Sequence, residues 1–97
     1  MVDRNLLGIL GNTEKTLKLE PLVEKFQSFG IKTSVCNGHD LLELRKFFSK
    51  KNDGPKILIA NTVKGKGVSY MENKYEYHTI IPKSENDVET GLKELSN

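Results

Sequence analysis

The sequence predicts an α/β fold, with a small, mainly parallel three-stranded sheet and flanking helices. Segments of strand character alternate with segments of helical period along the 97-residue chain, which is the order of successive βαβ units. The run Ile57 to Ala60 is apolar without alternation, as in a strand buried on both faces of a parallel sheet. A chain of this length makes at most one domain, so we expect residues 1–97 to form a single domain with a modest core.

The first strand and the first helix are predicted in the first third of the chain. In segment 2–11, apolar residues lie on both sides of the polar trio Asp3-Arg4-Asn5, and Gly8 and Gly11 indicate a strand end that runs into irregular chain. Apolar residues spaced three and four apart predict an amphipathic helix over residues 16–29, with Pro21 in its first turn.

Two further strands enclose a second helix. Alternating β-branched residues predict a strand over 31–36. Asp40 followed by Glu43 has the spacing of a capping box ahead of an apolar period, which predicts a helix over 41–52. The third strand is expected over 57–61.

A long connection precedes the last predicted helix. Roughly twenty residues between Asn61 and Ser84 show no helical or strand period, and such a loop in a compact domain is usually functional or disordered. It carries Lys64, Lys66 and two glycines, so a solvated basic surface loop is the alternative interpretation. Ser84 and Asp87 then predict a capped helix with an apolar face formed by Val88, Leu92 and Leu95.

Composition argues against several classes of protein. Fifteen Lys and Arg against thirteen Asp and Glu give a net charge of +2, and their even distribution does not form the basic stripe of a nucleic-acid-binding protein. Cys36 is the single cysteine, which excludes an internal disulfide and is interpreted as a small core residue. The sequence shows no signal peptide and no apolar run near the length of a membrane span, so we expect a cytoplasmic protein with no membrane partner.

Common motifs for phosphate and zinc are missing from the sequence. Gly65-Lys66-Gly67 lacks the earlier glycine and the following hydroxyl of a P-loop, and Cys36 with His39 lacks a second pair of zinc ligands. His39 follows the turn signal Asn37-Gly38, which favours a turn or capping role over a catalytic one. For His78, an exposed structural role and a functional role both remain open.

Several segments, taken in their order along the chain, resemble transketolase. They are Asp3-Arg4-Asn5, Leu19-Glu20-Pro21-Leu22, Phe29-Gly30, Gly38-His39-Asp40, the run 62–73 and His78. The closer resemblance is to the later part of the diphosphate-binding module in the N-terminal subunit of split, bacterial-type transketolases. It covers essentially the whole chain and implies that the sheet is part of a thiamine-diphosphate-binding fold.

The resemblance implies thiamine diphosphate and Mg²⁺ as cofactors. Asn5 would provide a side-chain ligand and Leu7 a backbone carbonyl ligand, and such oxygen donors suit Mg²⁺. Ile9 would pack near the cofactor. His78 would contact the cofactor diphosphate and the sugar substrate, and is the catalytic candidate. The family usually has glycine directly after this histidine, whereas Thr79 stands here, so the exact position of His78 stays open.

The implied function is that of a partial transketolase subunit. It would act in ketol transfer between sugar phosphates, as in the pentose phosphate pathway, when assembled with complementary transketolase chains or by self-association. The metal-binding aspartate of a Gly-Asp-Gly motif and the glutamate that activates the cofactor are expected outside this chain, so the isolated chain should be inactive. The alternative is a non-catalytic transketolase-like fragment or protein-interaction module.

Overall fold

A computed structural model describes residues 1–96 of the protein. The elements are, in chain order, β1 (Val2–Arg4), β2 (Leu7–Gly8), β3 (Gly11–Asn12), α1 (Thr13–Thr16), α2 (Leu22–Ser28), β4 (Lys32–Asn37), α3 (Leu41–Ser49), β5 (Lys56–Asn61), a 3-10 helix (Tyr75–His78) and α4 (Glu85–Leu95). The chain divides into two compact units. The first unit comprises Met1–Asn5 and Lys18–Thr62, and the second comprises Leu6–Leu17 and the chain from Val63 onward.

A three-stranded parallel sheet with the strand order β1-β5-β4 forms the centre of the first unit. This confirms the predicted α/β class. The middle strand β5 contains the most enclosed residues, with Leu58, Ile59 and Ala60 only 1%, 2% and 2% exposed. Because both faces of this strand are covered, its sequence is apolar without alternation.

All three parallel strands end at the same level. The register aligns Arg4 with Asn61 and Asn61 with Asn37, so the residues that follow the strands lie along one carboxyl edge of the sheet. Two hydrogen bonds hold this edge. The Thr62 amide donates to the Arg4 carbonyl at 3.0 Å, and the Gly38 amide donates to the Asn61 carbonyl at 2.6 Å.

The first predicted helix was wrong over residues 17–21, since Thr16 belongs to α1 and the next helix starts at Leu22. Helix α2 begins at Leu22, and Pro21 precedes it as the N-cap, whereas the prediction placed Pro21 inside a helix starting at residue 16. The physical reason is the steric effect of proline, which disfavours the helical conformation at the preceding residue, here Glu20. The predicted end is correct, because α2 stops at Ser28, just before Gly30 with its φ of 74°.

Helix α3 begins where its capping signal predicted, although only half of the capping box forms. The Asp40 carboxylate accepts hydrogen bonds from the amides of Leu42 and Glu43 at 2.8 and 3.1 Å. The Glu43 carboxylate accepts from the amide of Asn37 at 2.9 Å instead of closing the box at Asp40. Glu43 therefore ties the end of β4 to the first turn of α3.

In the second unit, α4 is the main helix and it begins with the predicted capping box. Ser84 and Asp87 exchange hydrogen bonds between side chain and main chain in both directions. Gly91 is buried on this helix, and the Tyr70 hydroxyl donates to the carbonyl of Asp87 at 2.8 Å. The glycine-rich loop, residues 64–73 of the connection between β5 and α4, thus packs on α4.

The connection between β5 and α4 is more ordered than its sequence predicted. Residues Tyr75–His78 form a 3-10 helix, and hydrogen-bonded turns run through residues 63–74. A longer-range hydrogen bond from the amide of Asn73 to the carbonyl of Lys64, at 3.0 Å, joins the two ends of this stretch. The expectation of a wholly irregular segment was therefore wrong. None of the helices within residues 1–96 has the length and apolarity needed to cross a membrane.

Candidate functional site

Asn5 directly follows β1 at the carboxyl edge of the parallel sheet. Beside it, the Thr62 amide bonds the Arg4 carbonyl and the Thr62 hydroxyl donates to the Asp3 carboxylate. In open α/β sheets, ligands bind outside the carboxyl ends of the strands. Asn5 therefore lies where this class of fold places its ligands.

Leu6 separates Asn5 from Leu7 and has an unusual backbone conformation. Its φ is 64°, in the left-handed region that a leucine side chain disfavours by about 1–2 kcal/mol. Strained residues of this kind cluster at ligand-binding sites, where their conformation is part of the function. The conformation of Leu6 thus marks residues 5–7 as a segment of functional interest.

Leu7 lies in the antiparallel β2-β3 hairpin, opposite Asn12. The Thr13 amide donates to the carbonyl of Leu6 at 2.9 Å. Because hydrogen-bonded and non-hydrogen-bonded pairs alternate in an antiparallel ladder, the Leu7 pair is a non-hydrogen-bonded one. The Leu7 carbonyl therefore points away from β3.

His78 is the last residue of the 3-10 helix, and this helix contacts β2 within the second unit. The imidazole is exposed. Thr79 has a φ of −127°, an ordinary value for threonine, so this residue is not under backbone strain here.

Ile9 lies in the turn between β2 and β3, and 60% of its surface is exposed. The next residue, Leu10, is 81% exposed. The structure thus brings Leu7, Ile9 and the helix that ends at His78 together in the second unit, whereas Asn5 is part of the first unit. The turn of the hairpin therefore presents exposed apolar side chains.

His39 lies in a turn, as its sequence predicted. Its amide donates to the Asn37 side-chain oxygen at 3.0 Å, which is the hydrogen bond of an Asx turn. Cys36 is half-buried rather than part of the enclosed core. Its burial raises the pKa of the thiol, and the carboxylates of Glu43 and Asp40 add to this effect, which disfavours the reactive thiolate.

Two side-chain contacts, one at the end of β1 and one between the long connection and α4, were not predicted from the sequence. The guanidinium of Arg4 pairs with the carboxylate of Glu20. The hydroxyl and the amide of Ser69 donate to the Glu94 carboxylate at 2.6 and 2.7 Å. No short sequence pattern predicts either contact, because the partners are 16 and 25 residues apart in the chain.

The donors proposed for Mg²⁺ are an amide side chain and a main-chain carbonyl. Among residues 1–96, no group of three or more His, Cys, Asp or Glu side chains is placed to hold a metal ion. Neutral oxygen donors are nevertheless of the type that Mg²⁺ accepts, alongside phosphate oxygens and water. The donor types of Asn5 and Leu7 therefore fit this ion as part of its coordination shell.

Comparisons with known proteins point to one family. The chain is 35% identical over 97 residues to an apulose-4-phosphate transketolase subunit of Actinobacillus succinogenes, covering 98% of this chain and 35% of that protein. It is 35% identical over 81 residues to a 6-deoxy-6-sulfo-D-fructose transketolase subunit of a Clostridium species, covering 80% of this chain and 30% of that protein. With mouse transketolase it shares 32% identity over 76 residues, or 78% of this chain and 12% of that enzyme. No protein-family model matches the chain.

The chain is similar to transketolase subunits. The resemblance carried by short segments thus extends, at the level of sequence identity, over nearly the whole chain. The chain spans only 30% to 35% of the length of the two subunits, so these matches concern one part of such a protein.

Proposed function

We propose that this chain forms part of a transketolase subunit, in which it contributes to binding thiamine diphosphate and Mg²⁺. The observation that carries the proposal is the arrangement in the second unit. There, the strand with the outward-pointing Leu7 carbonyl contacts the helix that ends at His78, and these are residues to which the resemblance assigns cofactor contacts. The similarity to named transketolase subunits supports it.

Asn5 and Leu7 are proposed as ligands of one Mg²⁺ ion. They are two positions apart in the chain, so their Cα atoms are separated by at most about 7 Å. The ion would bind the diphosphate of the cofactor, as Mg²⁺ commonly combines protein oxygens with phosphate oxygens. Asn5 would supply its side-chain oxygen and Leu7 its carbonyl.

Ile9 and His78 are proposed to contact the cofactor and the substrate. The exposed side chain of Ile9 would cover apolar cofactor surface. His78 can donate hydrogen bonds to diphosphate or sugar oxygens from an exposed imidazole at the end of a short helix. When bound, thiamine diphosphate itself supplies the carbanion chemistry of ketol transfer.

The proposed protein acts on sugar phosphates only in an assembly. The relatives from Actinobacillus succinogenes and the Clostridium species are named as subunits, which favours complementary transketolase chains as partners of this one. We propose that residues 1–97 form the later part of the diphosphate-binding module in the N-terminal subunit of a split transketolase.

A protein-interaction module is the second candidate function. It is favoured by exposed apolar side chains on α3, where Leu41 and Leu42 are each 78% exposed, and on β4, where Val35 is 52% exposed. Under this alternative the chain would bind a protein partner without binding cofactor. Cofactor binding by the assembled protein separates the two candidates.

The test is a matched pair of variants in the reconstituted assembly. Asn5→Ala should weaken Mg²⁺-dependent binding of thiamine diphosphate by roughly tenfold or more, since even indirect partners of a metal contribute that much. His39→Ala should leave binding nearly unchanged, because His39 is a turn residue at the same edge of the sheet. Titration calorimetry measures both. Equal losses in the two variants, or no loss with Asn5→Ala, would contradict the assignment.

A further inference from the structure

Arg4 is a charged side chain enclosed in the first unit, next to the proposed ligand Asn5. Only 8% of Arg4 is exposed, and its guanidinium pairs with the Glu20 carboxylate. Arginine does not lose its charge in proteins, and a buried charge that loses its partner is strongly unfavourable. The conformation of Arg4 therefore depends on Glu20.

Glu20 is itself held in place by a second hydrogen bond. Its other carboxylate oxygen accepts from the amide of Leu22 at 2.8 Å, in the first turn of α2. The carboxylate thus links the end of β1 to the start of α2. About half of the Glu20 side chain, 52%, remains exposed, so a substitution there does not open the core.

The main chain of Arg4 is also held by the sheet. Its carbonyl accepts from the amide of Thr62 at 3.0 Å, and β1 is only three residues long. A strand this short has few ladder hydrogen bonds to hold its end. Because Asn5 is the next residue, its Cα lies about 3.8 Å from that of Arg4 and follows any shift of it.

We infer that the Arg4–Glu20 ion pair positions Asn5 for metal binding, which makes Glu20 a positioning residue of the site. This inference rests on the proposed function, since it takes Asn5 as a ligand of Mg²⁺. Outer-shell groups, which orient a metal ligand without binding the metal, contribute roughly 10- to 100-fold to metal affinity. Glu20 contributes without touching the ion.

Metal affinity is the direct test. In the reconstituted assembly with thiamine diphosphate, Mn²⁺ replaces Mg²⁺ and electron paramagnetic resonance measures free Mn²⁺. Glu20→Ala should weaken Mn²⁺ binding by roughly tenfold. Glu24→Ala is the matched control, since Glu24 is an exposed acid of the first turn of α2, and should change nothing. Glu20→Gln retains an oxygen acceptor for the Leu22 amide and should lose less affinity than Glu20→Ala.

The outcomes separate this inference from the proposed function. If Asn5→Ala leaves Mn²⁺ binding unchanged, the assignment of Asn5 as a ligand is wrong. If Asn5→Ala weakens binding but Glu20→Ala, still folded by circular dichroism, does not, only the role of Glu20 is overturned.

A second measurement needs neither metal nor partner. In the 97-residue chain, the Thr62 amide bonds the Arg4 carbonyl, so its hydrogen exchange reports how firmly Arg4 is held. Glu20→Ala should accelerate exchange at Thr62 by roughly tenfold relative to Glu24→Ala, while amides in the middle of β5 keep their rates. Equal exchange at Thr62 in both variants would overturn the inference.

Discussion

Glycine at position 38 lets the turn after β4 approach the end of β5 more closely than any side chain would allow. A Cβ atom there would clash with Cγ2 of Thr62 and would lie 3.0 Å from the carbonyl oxygen of Asn61 and 3.2 Å from Cβ of Ala60. Main-chain atoms and a β-branched side chain cannot move aside cheaply. The carboxyl edge of the sheet, where Asn5 lies, is therefore packed around a residue without a side chain.

Gly38→Ala should destabilise the protein by about 1–3 kcal/mol, the usual cost of overpacking a filled site. The free energy of unfolding from urea denaturation measures this. Gly54→Ala is the control, because no atom lies within 4 Å of a Cβ at Gly54, and its stability should change by less than about 0.5 kcal/mol. Similar losses in both variants would show that the close approach at Gly38 is not what limits substitution.

Residues with local partners could be predicted from the sequence, and residues with distant partners could not. The Asn37-Gly38 turn and the Asp40 cap involve neighbours along the chain, so residue types and spacing suffice to identify them. The ion pair of Arg4 joins positions 16 residues apart. Its existence depends on where β1 and α2 pack, which no short pattern specifies.

At the scale of elements, α4 binds the glycine-rich loop through the hydrogen bonds from Ser69 to the Glu94 carboxylate. The Ser69 hydroxyl and then its amide, both donating to the carboxylate, lower the pKa of Glu94. A carboxyl group whose pKa is lower in the folded state stabilises the fold above its unfolded pKa, and this contribution is lost as the pH falls through its folded pKa. The loop should therefore detach from α4 more easily in acid.

Ser69→Ala should raise the pKa of Glu94 toward its ordinary value, although the amide hydrogen bond remains. The difference in stability between the natural chain and Ser69→Ala should be largest above the ordinary carboxyl range and should shrink as the pH falls through the folded pKa of Glu94. Carboxyl-carbon NMR titration and urea denaturation at several pH values measure the two effects. Ser96→Ala removes a hydroxyl that donates to the Lys93 carbonyl and should leave the Glu94 titration unchanged.

Capped helices were the most predictable elements, and the long connection was the least. The capping box of α4 is fully formed because Ser84 and Asp87 act within one turn. The helix predicted over 16–29 was too long, since periodic apolar residues gave no sign of the steric effect of Pro21 on Glu20. The turns between β5 and α4 are held by contacts to a helix more than a dozen residues away, such as Tyr70 to Asp87, and these leave no period in the sequence.

At the scale of the whole molecule, the candidate metal ligands are few and uncharged. Asn5 and Leu7 offer a neutral amide oxygen and a neutral carbonyl, whereas affinity for hard cations rises with the number and charge of the ligands. The 97-residue chain alone should therefore bind Mg²⁺ and thiamine diphosphate weakly or not at all. Titration calorimetry on the purified chain tests this. Submicromolar binding would contradict it and would require charged ligands that the candidate set does not include.

The sheet of the first unit has strands at its edges that can accept a partner. Within residues 1–96, β1 and β4 pair on one side only, and Val35 on β4 is 52% exposed. Parallel sheets are normally covered on both faces, and open edges favour pairing with another chain. Two subunits similar to this chain are about three times its length, since it spans 30% to 35% of them.

We therefore expect the purified chain to self-associate or to form a complex with a complementary transketolase chain. We expect residues Lys64 to His78 to become fully ordered only in such an assembly. Light scattering gives the mass, and hydrogen exchange gives the protection of the loop with and without the partner. Amides that donate a hydrogen bond within the loop, such as that of Asn73 to the Lys64 carbonyl, should already exchange slowly in the chain alone. Amides around His78 should become protected only on assembly. A monodisperse monomer whose loop is already fully protected would contradict the prediction, because such a chain would have a closed surface of its own and would favour the protein-interaction module.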